Sequence, residues 1–562
     1  MKKLTALLLV LAMSLSLVAC SAGATAPTAA SEEKVVEEKK EEVKEAAPVE
    51  EAADESWKEE HPGWLCKDKT TFTVYTWEGE SSSYLPPSND LFFWKWMEDY
   101  TNVHIEWEVA PYADFDTLIA AKLASGEKLN DIVMMGKQQQ TTLSAGQNGM
   151  LVDLAPHWND WFSKVETYFN NIDVNFKGII TNSDNTIYAV PGFAAPQQNR
   201  IILLFNTLWM DKLGLKIPET VEEFEAVLRA MKEAGDLNGN GLDDEIIFTA
   251  TDVEWLLPSI GTAFGVETIE SADFYAAGAD GVVYPEYTTE NMKAMLGWLN
   301  GLYEEGLLDP EITTNTMDIV AEKVTADRVG VVSMYSSFAG SYGNLTSAGQ
   351  ADPGKEYYSI GKPLTSKWNS TPTMTMYNNY SRYAGIASTC ENPELAARWL
   401  DTLIADPEAL IIRACGEPGN TFEFDANHNP VYKPAPEGQA WSINPLGCGQ
   451  IPMPHIQTDL QLNFSKSYDQ AWYVDSYTAN QVEYATWKMA SVPKLGGYSE
   501  EETELRNLYQ ADLKAGWQEY RNKFITGELD TEADWDAYAK TLSALGMDEL
   551  TRCYQSVYNR TH

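Results

Sequence analysis

The sequence predicts an α/β protein built on a parallel sheet with helices on both faces. Strand-like and helix-like segments alternate through residues 71–136, an order typical of parallel strands joined by helices. Residues 131–135, DIVMM, form a nearly continuous apolar run that ends at Gly136, as expected of a strand buried on both faces. From residue 500 onward the pattern is mostly helical.

The predicted elements follow one another in a regular order along the chain. Strands are expected at 71–75, 104–109, 131–135, 187–191, 200–206, 328–334 and 381–388. Helices are expected at 91–102, 115–125, 221–234, 291–305, 392–404, 502–524 and 532–545. Ligands of parallel sheets bind beyond the carboxyl ends of the strands. Trp77 and Glu78, and then 136–140, are therefore expected at a site.

A loop with the spacing of calcium ligands follows the helix that ends near Gly235. Thr220 and Glu223 form a capping box at the start of that helix. Oxygen-bearing side chains then stand at loop positions 1, 3 and 5, with Gly241 at position 6, as in the first half of an EF-hand loop. The predicted ligands of a structural Ca2+ are Asp236, Asn238, Asn240, the carbonyl of Leu242, Asp244 and Glu245.

The second half of this loop departs from the EF-hand pattern. Position 12 is Ile247 where a Glu is usual, so Glu245 is the nearest carboxylate that could complete the ligand shell. The residues 246–249 suggest a strand where an EF-hand has its second helix. An Asn/Gly/Asp-rich surface turn without a metal stays the alternative, because these residues favour turns by themselves.

The N-terminus carries the features of a lipoprotein signal peptide. Lys2 and Lys3 precede an apolar run, which ends in Leu17-Val18-Ala19-Cys20, a sequence that resembles a bacterial lipobox. We expect cleavage after residue 19, lipidation of Cys20, and a disordered acidic linker over 20–65. The alternative is an ordinary signal peptide with a chance cysteine. The protein is expected to be lipid-anchored on the extracellular face of the cytoplasmic membrane.

Charge and cysteine usage exclude several classes of function. The net charge of −43 argues against nucleic acid or an anionic membrane surface as partner. The other five cysteines lie far apart with no CxxC spacing, so neither a zinc site nor a small disulfide framework is indicated. They allow one disulfide and leave at least one thiol free.

Several segments resemble the bacterial extracellular solute-binding proteins of sugar transporters, in the large branch that carries a calcium loop. The matching segments are spread from residue 123 to the C-terminal region and occur in the family's order. They are Leu123–Gly126, Asp131–Val133, Tyr188–Pro191, Asn206–Glu223, Asp236–Glu245, Leu302–Pro310, Glu391–Leu400, Lys523–Glu528 and Trp535–Tyr538. The run from Cys415 to Gly419 departs from the family's usual Gly-Ile-Glu-Gly-like sequence.

The resemblance implies a periplasmic-binding-protein-like fold of two α/β lobes joined by hinge strands. On this basis we expect one lobe over 66–190 and 331–400 and the other over 191–330 and 401–562. Chain crossings are expected near Pro191, near Met334 and after Cys390. The family binds ligand in the cleft between the lobes and delivers it to the membrane permease subunits of an ATP-binding-cassette (ABC) importer. The resemblance further implies that the protein acts as a monomer.

Aromatic residues at strand ends and in loops are the candidates for ligand contact. Sugar rings stack on aromatic faces, and sugar hydroxyls require polar partners. The candidate aromatic residues are Trp77, Trp255, Tyr335, Tyr377, Tyr380, Trp441 and Trp487, and the polar ones are Glu78, Lys137, Gln138, Asn379, Arg382 and Glu417. By contrast, Trp94, Trp96, Trp298 and Trp399 lie on predicted helix faces and are expected to pack in the core.

The resulting prediction is an oligosaccharide-binding lipoprotein without catalytic residues. No HExxH zinc motif and no GxSxG elbow occurs in the sequence. Acidic pairs are too frequent in so acidic a chain to indicate a glycosidase. Two alternatives stay open: an oligopeptide-binding lipoprotein, and a surface glycan hydrolase or lyase.

Overall fold

The computed structural model describes residues 56–79, 85–135, 139–171, 176–194, 201–267, 274–352, 355–376, 379–433, 443–449, 451–457, 471–492 and 498–561. The predicted signal peptide, Cys20 and most of the acidic linker lie outside the described residues. So do the predicted ligand residues Lys137, Gln138, Tyr377 and Trp441.

Two sheets organise the described part of the chain. A six-stranded sheet has the order β15-β4-β12-β3-β1-β2, and a four-stranded sheet has the order β10-β5-β9-β6. The strands of the first sheet are β1 (Thr70–Trp77), β2 (Val103–Ala110), β3 (Ile132–Met134), β4 (Val190–Ala194), β12 (Asn379–Ile386) and β15 (Ile456–Gln457). Those of the second are β5 (Ile201–Asn206), β6 (Ile246–Ala250), β9 (Val329–Tyr335) and β10 (Tyr358–Ile360).

Three two-stranded ribbons complete the strand inventory of the described residues. They are β7 (Tyr275–Ala277) with β8 (Val283–Pro285), β11 (Thr373–Met376) with β16 (Thr486–Met489), and β13 (Phe422–Phe424) with β14 (Pro430–Tyr432). The pairing of β11 with β16 is parallel and joins segments more than a hundred residues apart.

Helices cover both sheets, and their order is as follows. The helices before residue 352 are α1 (Ser56–Glu60), α2 (Phe92–Thr101), α3 (Phe115–Ser125), α4 (Gln139–Gln147), α5 (Trp158–Trp161), α6 (Ser163–Asn170), α7 (Phe176–Ile180), α8 (Thr207–Leu213), α9 (Val221–Ala234), α10 (Val253–Ile260), α11 (Glu290–Glu304), α12 (Met317–Thr325), α13 (Phe338–Leu345) and α14 (Ser347–Ala351). The later ones are α15 (Pro393–Ala405), α16 (Pro407–Cys415), α17 (Ala471–Tyr477), α18 (Glu500–Thr526), α19 (Trp535–Ala544) and α20 (Met547–Thr561).

The alternation of strands and helices predicted from the sequence is confirmed, but the first sheet is mixed and not purely parallel. β2 and β3 both run parallel to β1, as expected. β12 runs antiparallel to both of its neighbours, β3 and β4. The reason is the path of the chain: β12 enters the first sheet directly from the second-sheet side, so it starts at the edge where the parallel strands end.

Each sheet has its own hydrophobic core. The first core contains Val74, Ile132, Val190 and Ile386 together with helix residues such as Trp399. Trp94 and Trp399 are buried in this core, so the prediction that they are packing residues is confirmed. The second core joins residues of β5 and β6 to the helices after residue 500, which confirms the helical C-terminal region. The described protein therefore consists of two α/β lobes.

The chain passes between the sheets at places that differ partly from the predicted ones. The passage after β4, from Ala194 to Ile201, agrees with the crossing expected near Pro191. Met334 is not a crossing, because it lies inside β9 and the next strand, β10, pairs in the same sheet. The crossing expected after Cys390 is also wrong, because α15 and α16 pack in the first core. The other passages lie between β10 and β12 and between β15 and α17.

Core membership also differs from the predicted lobe boundaries. Strands β9 and β10, within the predicted 331–400 part of the N-terminal lobe, belong to the second sheet. Residues between 401 and 456, assigned by the sequence to the C-terminal lobe, contribute Leu403, Ile412 and Ile456 to the first core. Across the described residues, no helix combines the length and the apolar character needed to cross a membrane.

Candidate functional site

The parallel strands of the first sheet end at one common edge. β1, β3, β4 and β15 share one direction, and the antiparallel β12 begins where they end. Glu78 follows β1 directly and its side chain is exposed. By chain order Lys137 and Gln138 come shortly after β3, and Tyr377 shortly before β12. This edge is the place where a ligand of an α/β sheet is expected.

The corresponding edge of the second sheet lies close by. β6, β9 and β10 end at this edge, and β5 begins there at Ile201. Ala194 at the end of β4 and Ile201 are joined by seven peptide steps, which span at most about 25 Å when fully extended. The carboxyl-end edges of the two sheets therefore lie within this distance of each other at this point, and we call the space between them the cleft.

Aromatic side chains gather at the second-sheet edge of this cleft. The rings of Trp255 and Tyr335 meet edge-to-face with centroids 4.7 Å apart. Trp255, Trp472 and Trp487 are partly buried against one small core on the second sheet. We call Trp255, Tyr335, Trp472 and Trp487 the aromatic group. Trp472 was missed by the sequence reasoning, although its position in the aromatic run Trp472-Tyr473 was a usable signal.

The local structure explains why these rings are held there. Asp252 caps the start of α10, and its carboxylate accepts a hydrogen bond from the Trp255 backbone N–H at 2.9 Å. The Ser333 hydroxyl on β9 donates to the Trp255 carbonyl at 2.7 Å. Burial raises the pKa of Asp252 above its ordinary value, and the neighbouring Glu254 adds to that effect. Trp255 and Tyr335 thus stand on a capped helix end and a central strand.

Two aromatic residues predicted to contact ligand are core residues instead. Trp77 is buried, and its ring lies 4.9 Å from that of Phe115. Its indole N–H has no hydrogen-bond partner among the described residues. Tyr380 is fully buried and packs against Phe169, Phe176 and Phe193. Both predictions are wrong for the same reason: helices of the first lobe cover these strand ends.

Arg382 and Glu417 lie in the first lobe. Arg382 stands at an irregularity in the pairing of β12 with β4 and has a positive φ of 55°. A bulky residue in this conformation is unusual and costs free energy unless the surroundings hold it. The half-buried Glu417 follows α16, and its carboxylate accepts a hydrogen bond from the Asn420 side chain at 3.0 Å. Asn379 is the first residue of β12 at the cleft edge.

A basic group lies behind the first-sheet edge. The guanidinium of the fully buried Arg413 donates to the carbonyls of Gly449 and Ile456. Burial, with Arg382 nearby, lowers the pKa of Arg413 to about 10. His455 is also buried, and burial together with both arginines lowers its pKa well below the ordinary value, so its imidazole is neutral. This part of an acidic protein is therefore locally positive.

The predicted calcium loop is folded around its own side chains. The Asp236 carboxylate accepts hydrogen bonds from the N–H groups of Gly239 at 2.6 Å and Gly241 at 2.9 Å. Both glycines have positive φ, 79° and 82°, which lets the loop turn this tightly. The side-chain amides of Asn238 and Asn240 lie 3.4 and 3.0 Å from one oxygen of Asp244. Loop positions 3, 5 and 9 therefore converge on one point.

The remaining loop contacts bear on which groups could hold an ion. Both Glu245 oxygens accept backbone hydrogen bonds, from Leu237, Asn238 and Asp244. The Arg328 guanidinium lies 3.0 Å from Asp244. No cluster of three or more His, Cys, Asp or Glu side chains suited to a metal occurs in the part of the chain that the structure describes. Amide and carbonyl oxygens would thus have to contribute to this site, and such oxygen ligands suit Ca2+.

The capping box before the loop is half formed. The Thr220 hydroxyl accepts a hydrogen bond from the Glu223 N–H at 3.1 Å, as predicted. The Glu223 carboxylate accepts its bond from Glu219 and not from Thr220. Gly235 ends the helix with a positive φ of 66°.

The five cysteines among the described residues are all free thiols.

Two α/β lobes that border one cleft, joined by three chain passages, define the class of two-lobed ligand-binding proteins. The chain belongs to the bacterial extracellular solute-binding protein family, whose sequence model matches residues 81–409.

Relatives with assigned ligands cover nearly the whole chain. The fructooligosaccharide ABC transporter substrate-binding protein FusA of Streptococcus pneumoniae is 24% identical over 539 residues, which cover 91% of this chain and 94% of FusA. The structure of a FusA EF-hand mutant in complex with fructo-nystose aligns with a TM-score of 0.67 and 21% identity, covering 87% of this chain and 99% of that one. An HMO-binding solute-binding protein from Bifidobacterium longum infantis also gives a TM-score of 0.67, at 19% identity, covering 87% and 99%. These structural likenesses establish the fold.

Proposed function

We propose that the protein is the substrate-binding lipoprotein of an ABC importer and captures an oligosaccharide in the cleft between its lobes. The observation that carries this proposal is the aromatic group at the second-sheet edge of the cleft. Partly buried indole and phenol rings offer flat apolar faces to sugar rings, and the partial burial limits the entropy lost on binding. FusA, named for fructooligosaccharides, supports the same ligand class.

The proposed mechanism is mechanical and requires no chemical step. The ligand stacks on Trp255, Tyr335 and Trp487 in one lobe, and polar residues at the first-sheet edge, Glu78 among them, bind its hydroxyls. A ligand that contacts both lobes shifts the equilibrium towards the closed form by its extra affinity for that form. The closed form then docks on the permease, as a monomer. The three chain passages between the two sheets serve as the hinge.

A lipid anchor would hold the protein at its site of action. Cys20 follows a lipobox-like sequence, and the acidic, low-complexity residues up to 55 would act as a spacer from the membrane. We place the protein on the extracellular face of the cytoplasmic membrane. Mass spectrometry of the membrane-extracted protein should show a diacylated N-terminal Cys20, and a Cys20→Ala chain should be absent from the membrane fraction.

The loop 236–245 is proposed to bind a structural Ca2+. Its supports are the alternating oxygen side chains, the convergence of Asn238, Asn240 and Asp244, and the two positive-φ glycines. The EF-hand mentioned for FusA is consistent with this assignment. Asp236, Asn238, Asn240, the Leu242 carbonyl, Asp244 and Glu245 would hold the ion, with Glu245 giving up backbone hydrogen bonds to do so. The ion would fix the turn between α9 and β6.

A ligand screen tests the proposed function directly. A panel of neutral oligosaccharides, acidic oligosaccharides and oligopeptides is tested by thermal shift, and each hit is incubated and then chromatographed. A shift with one oligosaccharide class, and with the sugar recovered intact, supports the proposal. A shift with peptides alone would replace it with oligopeptide binding, and release of smaller sugars would identify a glycan hydrolase or lyase.

A further inference from the structure

One member of the aromatic group is held by an unusual helical turn. Helix α17 continues without a break into a π-helix, Thr478–Glu483. Turns of this kind are rare in proteins and occur frequently at functional sites. Strand β16, which carries Trp487, begins three residues after the π-helix ends. The π-helix therefore leads directly into the strand that carries Trp487.

Two consecutive side-chain amides fix this π-helix to the edge of the second sheet. The amide of Asn480 donates to the carbonyl of Ile360 at 2.9 Å. The amide of Gln481 donates to the next carbonyl, that of Gly361, at 2.5 Å. Ile360 is the last residue of β10, whose carboxyl end lies on the cleft side of the sheet. The π-helix is thus attached to the same edge that carries the aromatic group.

Gln481 also contacts Trp487 through its backbone. The Gln481 carbonyl accepts a hydrogen bond from the Trp487 indole N–H at 3.0 Å. This bond fixes the plane of the indole and leaves the ring face, not the N–H, for a ligand. A sugar ring stacks on such a face. One residue therefore joins the sheet edge, through its side chain, to the ring orientation, through its carbonyl.

Packing alone does not explain a glutamine at this position. Gln481 is 1% exposed, and its side-chain oxygen is buried without a hydrogen-bond partner among the described residues. A buried acceptor of this kind destabilises the fold relative to an apolar side chain of the same shape. The amide donor to Gly361 is the part of the side chain that an apolar residue lacks.

We propose that Gln481 is a positioning residue for ligand binding: it attaches the π-helix to the second-sheet edge and thereby orients Trp487 for stacking. The inference rests on the proposed function, because it requires that Trp487 contacts the oligosaccharide. Ordering the indole before the ligand arrives lowers the entropy lost on binding, so loss of the attachment should weaken binding without direct loss of a ligand contact.

The test uses Gln481→Met in the full-length protein, since methionine keeps the length of the side chain and removes the amide. Gln350→Met is the matched control, because Gln350 also donates its amide to a backbone carbonyl, that of Leu345, but is exposed and lies outside the aromatic group. Trp487→Phe keeps a ring and removes the indole N–H. The protein is labelled with 5-fluorotryptophan, and the 19F resonance that disappears in Trp487→Phe belongs to Trp487.

Gln481→Met is expected to shift or broaden the Trp487 resonance. It should also lower the affinity for the oligosaccharide found in the screen by about tenfold. The other tryptophan resonances should keep their positions. Gln350→Met should change neither the Trp487 resonance nor the affinity for the oligosaccharide. An unchanged Trp487 resonance and unchanged affinity in Gln481→Met would overturn the inference, even with a lower melting temperature. If Trp487→Phe and Trp487→Ala both bind as wild type, or if no oligosaccharide binds, the proposed site itself is wrong.

Discussion

The carboxylate of Glu254 lies 3.3 Å from the guanidinium of Arg521, a residue 267 positions further along the chain. Glu254 stands in the first turn of α10, one residue before Trp255, and Arg521 belongs to the long C-terminal helix α18. The side chain of Arg521 is almost fully buried, at 5% exposure. The helical C-terminal region therefore contributes to the position of the helix that carries Trp255.

Replacing Glu254 should cost stability and ligand affinity together. Glu254→Gln keeps the shape of the side chain but removes the charge opposite the buried Arg521, and we expect a loss of about 2 kcal/mol in the free energy of unfolding. Glu519→Gln is the control, since it breaks only the exposed pair with Lys523 on the same helix and should cost under about 0.5 kcal/mol. Urea denaturation measures the free energy of unfolding, and calorimetric titration measures the ligand affinity. Equal losses in the two variants would contradict the anchoring role of Glu254.

Trp255 should contribute to affinity more than to stability. Trp255→Leu keeps apolar volume against the small core but removes the aromatic face, and we expect about a tenfold weaker affinity for the oligosaccharide. Trp368→Leu provides the comparison, because Trp368 is 40% exposed and lies outside the aromatic group. Titration calorimetry gives the affinities and thermal unfolding the stabilities. Unchanged binding by Trp255→Leu would remove Trp255 from the site.

The order of elements was readable from the sequence because periodicity reports which face of each element is buried. Helix α3 has the bounds predicted for it, Phe115–Ser125. The direction of β12 was not readable, since it depends on the edge at which the chain re-enters the first sheet. The sequence predicts both Trp77 and Trp255 at a strand end or in a loop, yet Trp77 is buried in a core and Trp255 is only partly buried. The difference arises from Tyr112 and Phe115, which pack over Trp77, and no local pattern reveals such a tertiary contact.

Removal of calcium should lower the melting temperature while changing ligand affinity little. An ion that binds only the folded loop stabilises the protein by mass action, so chelation by EGTA should lower the melting temperature by about 3–5 °C. Asp236→Asn should reproduce this decrease and abolish the response to EGTA. Asp425→Asn serves as the control, because Asp425 also accepts backbone hydrogen bonds within a tight turn, between β13 and β14. A large loss of oligosaccharide affinity on chelation, with the melting temperature unchanged, would instead place the ion at the ligand site.

Acid should weaken the contact between α18 and α20, the first and the last helix of the C-terminal region. Glu502 in α18 accepts hydrogen bonds from Arg560 in α20 and from the Ser499 N–H. Burial alone would raise the pKa of Glu502, but these bonds outweigh it and hold the pKa at about 2. Because the folded protein favours the ionised carboxylate, this contribution to stability is complete above the ordinary pKa of 4.5 and is lost as the pH falls from there towards 2.

The Glu502→Gln variant should therefore be less stable than the wild type at pH 7 and should lose less stability between pH 5 and 2 (both pH limits approximate) than the wild type does. Glu504→Gln, an exposed change two residues further along α18, should leave the wild-type pH profile in place. Melting temperatures of both variants and of the wild type, measured across this pH range, test these two expectations. A Glu502→Gln profile parallel to that of the wild type would show that the Glu502–Arg560 pair does not govern the acid sensitivity of the C-terminal helices.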